Sequence, residues 1–443
     1  MNIVIATFGY LPYAHGGTEN YVQDEVSIAS KQGNRVTIIS TLTSIPTDST
    51  FFYEDDIIKV IRYYHNETLV YGIYVDIKYT WQLYDVNNEY LLNSYVKFTK
   101  KAEFNIIDIL QFNCFTSAVN LNLYKALKIN SKPFKFIYTV HTAFYCMKGT
   151  LVNTFTEKLC DVNLNARNCF SCYYSDRNIN SSSLVKMMMS VNRLPLIGNA
   201  IIESTSKFAN IKKLINSISE LLKQADQFVV YSELYRNLLI NLGVGENKIA
   251  VYRHGISSEF KFIGDASSKE HNSFLYSGRL MKLKGADVLL QAWLLTEDTK
   301  SKKLYIACPS ISSSDIDSDL IAQIQSRSDV EFIVNPTKAD LISLYHKVEC
   351  VVIPSNATEI GPLVFHEAIL AKCNIISSDN KGSVELSTYY NDSNAVKLFS
   401  MRDVDTLVKQ ITHFNYQEIN LVEKTNTIES HFGSLLELYK REQ

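Results

Sequence analysis

Apolar residues along this chain gather in short β-type runs, separated by longer stretches with helical spacing. In the first half the runs are Asn2–Phe8, Val36–Thr41, Ile57–Tyr64, Ile106–Phe112 and Phe136–Val140. In the second half they are Phe274–Ser277, Leu304–Ala307, Glu331–Val334, Cys350–Ile353 and Asn374–Ser377. Strands alternating with helices in this way predict an α/β protein with two doubly wound parallel sheets. A glycine- and serine-bearing stretch, Gly255–Ser268, separates the two patterns and marks the expected boundary. We therefore expect an N-terminal domain over 1–258 and a C-terminal domain over 259–421. Ligands in such folds sit beyond the carboxyl ends of the strands, and a cleft between two facing domains would suit a two-substrate enzyme.

Length and composition sharpen this picture only a little. A chain of 443 residues exceeds what one hydrophobic core usually serves. A net charge of -2 gives no whole-chain attraction for nucleic acid, so none is expected as a partner. The start, Met1-Asn2-Ile3-Val4-Ile5-Ala6, reads as a first strand and not as a signal peptide. No apolar run approaches the ~18 residues that suggest a membrane-spanning helix. The expected location is thus the cytosol, where the eight cysteines are thiols or metal ligands and not a disulfide framework.

Chemistry concentrates in Pro354-Ser355-Asn356-Ala357-Thr358-Glu359-Ile360-Gly361-Pro362-Leu363-Val364-Phe365-His366-Glu367-Ala368. The run Glu349–Pro354 predicts a buried parallel strand leading into it. Pro362 suits the first turn of a helix, whose unpaired N–H groups at Leu363 and Val364 would favour a phosphate. Glu359 and Glu367 stand on either side of that helix start, and carboxylates accept from sugar or ribose hydroxyls. A capped surface helix with two solvated glutamates is the plain alternative. The pattern of strand, Pro-Ser, Glu, seven residues and Glu-Ala, then Ile375-Ile376-Ser377-Ser378, resembles the donor-site signature of retaining GT-B glycosyltransferases of the family 4 type. The resemblance implies two Rossmann-like domains facing a central cleft. It also implies that Glu359 contacts the transferred sugar and Glu367 the nucleotide ribose. Pro362 replaces a common glycine of that signature, and Lys372-Cys373 replaces a small residue and Gly.

Further residues fit the same family. Ser277-Gly278-Arg279-Leu280-Met281-Lys282-Leu283-Lys284-Gly285 carries the family's Gly-Arg-Leu and Lys-Gly at its spacing. Arg279 and Lys284 are then the side chains that neutralise the diphosphate, a task suited to a guanidinium fork and an ammonium. Basic residues at a helix start are otherwise ordinary surface charge. Tyr13-Ala14-His15-Gly16-Gly17-Thr18-Glu19 follows the first strand, and Gly16 and Gly17 resemble the family's glycine loop at donor phosphate and acceptor. A simple strand–helix turn would look the same. His141, ending the strand Phe136–Val140, resembles the family's strand-end histidine beside the transferred sugar. Cys146, Cys160, Cys169 and Cys172 have the count for a structural zinc site, with free thiols as the alternative. Within the segment 184–223, the helix-forming stretch Lys207–Lys223 carries lysines at 207, 212, 213 and 223, and reads either as a packed helix with a basic face or as a docking surface for membrane or a lipid-linked acceptor. The tail over 422–443 is amphipathic, and the resemblance implies a helix crossing back to the first domain.

The resulting expectation is a retaining hexosyl-type transferase. It would take a nucleotide sugar as donor and a glycan or lipid-linked acceptor, in cell-surface polysaccharide synthesis. Arg279, Lys284 and the helix tip would stabilise charge on the leaving diphosphate. Asp315-Ile316-Asp317 reads as first-turn acids of a helix, so no catalytic cation is implied. A sugar-nucleotide epimerase of the same fold and an inactive binding homologue remain as alternatives.

Overall fold

A computed structural model describes all residues except His15, 77–87, 147, 149–150, 152–159, 161–163, 177–205, 297–300, 314, 392–393, 420–423 and 442–443. Contacts divide the chain into two units. The first comprises Met1–Val230, Tyr235–Tyr252 and the residues from Phe432 onward; the second comprises Tyr231–Leu234 and Arg253–His431.

The first unit is built on β1 (Asn2–Thr7), β2 (Arg35–Thr41), β3 (Phe51–Glu54), β4 (Ile58–His65), β5 (Thr68–Val75), β6 (Ile109–Phe112), β7 (Lys135–Thr139), β8 (Gln227–Val230) and β9 (Ile249–Val251). Among the described residues they form one sheet in the order β3-β4-β5-β2-β1-β6-β7-β8-β9. From β5 to β9 every pairing is parallel. The edge departs from the all-parallel expectation: β3 and β4, and β4 and β5, run antiparallel. The cause is local. Asn66 and Glu67 both adopt left-handed φ (46° and 66°), closing a two-residue turn that pairs His65 with Thr68. A chain that reverses in two residues leaves no room for the crossover that a parallel strand requires.

Two further helices bear on the expectations. The helix Ser206–Gln224 buries Phe208, Ile211, Leu214, Ile218 and Leu221, an i, i+3, i+4 stripe turned into its own unit. Phe208 and Ile211 pack with Phe170. That apolar face is therefore not available to lipid, and Lys212 and Lys223 are exposed on the other side; the rest of the expected membrane surface, 184–205, lies outside the described residues. The helix Ile428–Lys440 brings Tyr439 to the interior of the first unit, where its hydroxyl donates to Glu25 at 2.6 Å and also bonds Gln111. Gln111 in turn donates to Glu25 (3.0 Å) and to Asn113 (2.7 Å). Lys135 Nζ reaches the carbonyls of Leu438 (2.9 Å) and Arg441 (3.1 Å), supplying a cation to the carboxyl end of that helix.

The second unit holds a wholly parallel sheet among the described residues. Its strands are β11 (Glu270–Ser277), β12 (Lys303–Cys308), β13 (Val330–Val334), β14 (Val348–Ile353), β15 (Asn374–Ser378) and β16 (Val396–Phe399), in the order β13-β12-β11-β14-β15-β16. Successive strand residues point to opposite faces, and here both faces are covered. Leu275, Tyr305, Val351 and Ile375 pack with helices Lys338–Lys347, Leu363–Leu370 and Lys381–Tyr390. Phe274, Ile306, Val352 and Ile376 pack with helices Ala286–Leu295, Ser318–Gln325 and Val404–Thr412. The short strands β10 (Gly255–Ile256) and β17 (Asn426–Thr427) pair in parallel beside this sheet.

Candidate functional site

Beyond the carboxyl end of β14, the chain turns through Pro354–Gly361 into the helix Leu363–Leu370. Pro362 is the residue capping this helix, one position before its first turn, so the N–H groups of Leu363 and Val364 open the helix with no partner inside it. The neighbouring strand end is tied closely to this turn. Gly285 adopts φ +66°, and a Cβ there would overlap the Pro354 carbonyl oxygen. Only glycine tolerates both conditions, and the result places Lys284 against Glu359. Lys284 Nζ lies 2.8 Å from Glu359 Oε1. On the other side Gly382 is required by close approach alone, since a Cβ would strike the Glu359 carbonyl.

Glu359 is held by partners that sequence reasoning missed. Ser355 Oγ donates to its Oε1, and its backbone N–H lies 3.4 Å from Asn380 Oδ1. Beneath these, Ser378 Oγ donates to the Ser355 carbonyl (2.6 Å) and Asn380 Nδ2 to Ser378 Oγ (3.1 Å). Ser355, Ser378 and Asn380 are all buried. Burial pushes the Glu359 carboxyl up, but the Lys284 ammonium, its hydrogen bond, Ser355 and the Arg279 guanidinium more than reverse this. The carboxyl is held below its ordinary range and is ionised at neutral pH. Arg279 is itself exposed, and its backbone carbonyl is fixed by the buried Tyr276 hydroxyl at 2.7 Å. The structure thus brings Arg279, Lys284 and Glu359 into one electrostatic group.

Glu367 lies a little more than one turn into the same helix, the one carrying Leu363 and Val364. Burial pushes its carboxyl up to about 7, opposed by a hydrogen bond from Tyr345 and by the charge of Lys338. The Tyr345 hydroxyl stands 2.7 Å from Glu367 Oε2. Its neighbour His366 is buried, bonds the Tyr390 hydroxyl at 2.7 Å, and is driven down to about 3 by burial and by Arg253. It is a neutral core histidine. The two acids Asp315 and Asp317 stand just before their helix and not in its first turn. Asp317 accepts from the Asp319 N–H (3.0 Å) and Asp315 from the Lys282 N–H (3.1 Å).

The first unit carries the remaining expected residues. Gly16 caps the helix Gly17–Lys31, and a Cβ on Gly16 would crowd the Glu19 carboxylate. His141 follows β7, and its ring meets Tyr21 of that helix edge-on at 4.6 Å between centroids. The β1–β2 register pairs Thr7 with Ser40, and one residue beyond the β1–β6 and β6–β7 registers Asn113, just past β6, falls in line with Thr7 and Thr139. All four are buried, a polar row at the carboxyl edge of the sheet that no local motif announces. Cys146, Cys160, Cys169 and Cys172 are half-buried and form no disulfide. Among the described residues no three His, Cys, Asp or Glu side chains gather as metal ligands. No helix among them is long and apolar enough to cross a membrane.

Residues 258–424 match the family model described as glycosyl transferases group 1. A search of curated proteins by sequence finds no significant match. Among solved structures, similarity extends over nearly the whole chain. A sucrose-phosphate synthase from Thermosynechococcus elongatus is 14% identical, with 99% of this chain and 98% of that chain covered and a TM-score of 0.58. WaaG, a glycosyltransferase involved in lipopolysaccharide biosynthesis, is 13% identical, with coverage of 99% and 100% and a TM-score of 0.59. Anabaena HepE in complex with UDP is 14% identical, with coverage of 99% and 95% and a TM-score of 0.52. Identities this low speak to the fold, which is the GT-B type expected from the sequence.

Proposed function

We propose that this chain, which matches the group 1 glycosyl transferase model over residues 258–424, is a glycosyltransferase that uses a nucleotide sugar and transfers a hexose-type sugar, with retention, to a glycan or glycolipid acceptor. The observation that carries this reading is the coupling of Arg279 and Lys284 to Glu359 beside the open tip of the helix Leu363–Leu370. As the bond from the anomeric carbon to the diphosphate oxygen stretches, negative charge builds on the diphosphate. Arg279, Lys284 and the N–H groups of Leu363 and Val364 stabilise that charge, and preorganised cations and dipoles are where electrostatic catalysis has most effect. Glu359, kept ionised, accepts a hydroxyl of the transferred sugar. Glu367 accepts from the ribose. In the first unit, Gly16, Gly17 and His141 take the roles their resemblance implies, at the donor phosphate, the acceptor and the transferred sugar.

A panel of nucleotide sugars and glycan acceptors, read by release of nucleoside diphosphate, tests this. Release is expected only when donor and acceptor are both present, and Glu359→Ala is expected to abolish it. Release that needs no acceptor, or an alanine variant as active as wild type, would defeat the reading.

A further inference from the structure

Tyr345 is a fully buried tyrosine on the helix Lys338–Lys347, and its hydroxyl lies 2.7 Å from Glu367 Oε2, with the Ser277 side chain also hydrogen-bonded to it. Burial drives its pKa well above the ordinary tyrosine value, so the hydroxyl stays protonated and donates to Glu367 whenever that carboxyl is ionised. The backbone that carries it is clamped. Lys269, buried to 6% exposure, donates from Nζ to the carbonyls of Tyr345 (3.0 Å) and Val348 (2.8 Å), at the carboxyl end of that helix. Its charge there also complements the negative end of the helix. Glu367 Oε1, by contrast, makes no hydrogen bond among the described residues.

We propose that Tyr345 is a positioning residue for donor binding: by occupying Glu367 Oε2 it fixes the carboxylate rotamer and presents Oε1 to the ribose hydroxyls. This rests on the assignment of Glu367 to the ribose made above. A carboxylate free to rotate loses part of its hydrogen-bond free energy to ordering, whereas one pinned from behind is preorganised. Tyr345 touches no substrate; it acts through Glu367.

Calorimetric titration with UDP, ADP and GDP, each beside its 2′,3′-dideoxy counterpart, separates these levels. Wild type is expected to bind at least one ribonucleotide about tenfold to a hundredfold more tightly than the dideoxy form, the range for a hydrogen bond to a charged group. Tyr345→Phe keeps the ring and removes the hydroxyl, and should compress that ratio to a few-fold while leaving dideoxy binding unchanged. Glu367→Gln should erase most of the ratio, and the double variant should match Glu367→Gln alone. If wild type binds none of the three nucleotides, the donor-site reading itself fails. If Glu367→Gln lowers the ratio but Tyr345→Phe does not, or if Tyr345→Phe weakens both forms equally, Tyr345 is structural only and the inference is wrong.

Discussion

The buried carboxyl of Glu25 should make the stability of the first unit depend on pH, and Glu25→Gln should remove that dependence. Glu25 is 2% exposed and is faced by the Tyr439 hydroxyl, the Gln111 amide and the phenol of Tyr10. Burial raises its pKa from 4.5 to about 7, even with hydrogen bonds from Tyr439 and Gln111 pulling the other way. Between those two values the folded chain holds a proton that the unfolded chain has released. The unfolded state therefore binds fewer protons, and stability falls as pH rises through this window. At 1.36 kcal/mol per pKa unit, the group contributes about 2–3 kcal/mol more at about pH 5 than at about pH 8. Urea denaturation followed by circular dichroism, at both pH values, measures it. Wild type should lose about 2–3 kcal/mol more than Glu25→Gln across the interval. The comparison cancels Glu367, which burial also raises to about 7 and which titrates alike in both proteins. Parallel losses in the two proteins would refute the reasoning.

Other outcomes follow from the site. Lys284→Ala should lower kcat by roughly 10²-fold or more, as loss of one transition-state donor does. It should also move the acid limb of the remaining activity to higher pH, because burial of Glu359 is then less opposed; an unmoved limb would separate Lys284 from Glu359. Gly285→Ala should destabilise the second unit by more than the ~1–3 kcal/mol of a strained backbone, because the added methyl also meets the Pro354 carbonyl; a thermal melt within 1 °C of wild type would contradict the packing. Arg279→Lys should weaken nucleoside diphosphate binding by calorimetry, since an ammonium cannot replace a planar fork, and unchanged affinity would remove Arg279 from the diphosphate.

Local signals were readable where one stretch of chain supplies both the element and its chemistry. The turn at Pro354–Gly361 and the Arg279–Gly285 segment each lie between a strand and a helix, so their residues could be named from the family signature they resemble. What spacing cannot supply is the second layer. Tyr345 is 22 residues from Glu367, and Asn380 is 21 from Glu359; each hydrogen bond exists only because parallel strands bring distant helix ends to one edge. The hairpin β4–β5 was hidden for a different reason. Its turn, Asn66-Glu67, lacks the glycine that usually marks a two-residue reversal, so Ile57–Tyr64 looked like one more strand of a parallel set. The polar row Ser40, Thr7, Asn113, Thr139 is invisible in sequence because it is a register, not a motif.

The docking of Tyr439 among Glu25 and Gln111 has a consequence for biosynthesis. The segment that completes the interior of the first unit leaves the ribosome only after the entire second unit has been made. Until then, the nascent amino-terminal half carries an unfilled slot with a buried acid at its base. The part translated first is thus the part whose maturation finishes last, and a ribosome stalled before residue 432 would release a protein vulnerable to proteases in its oldest half.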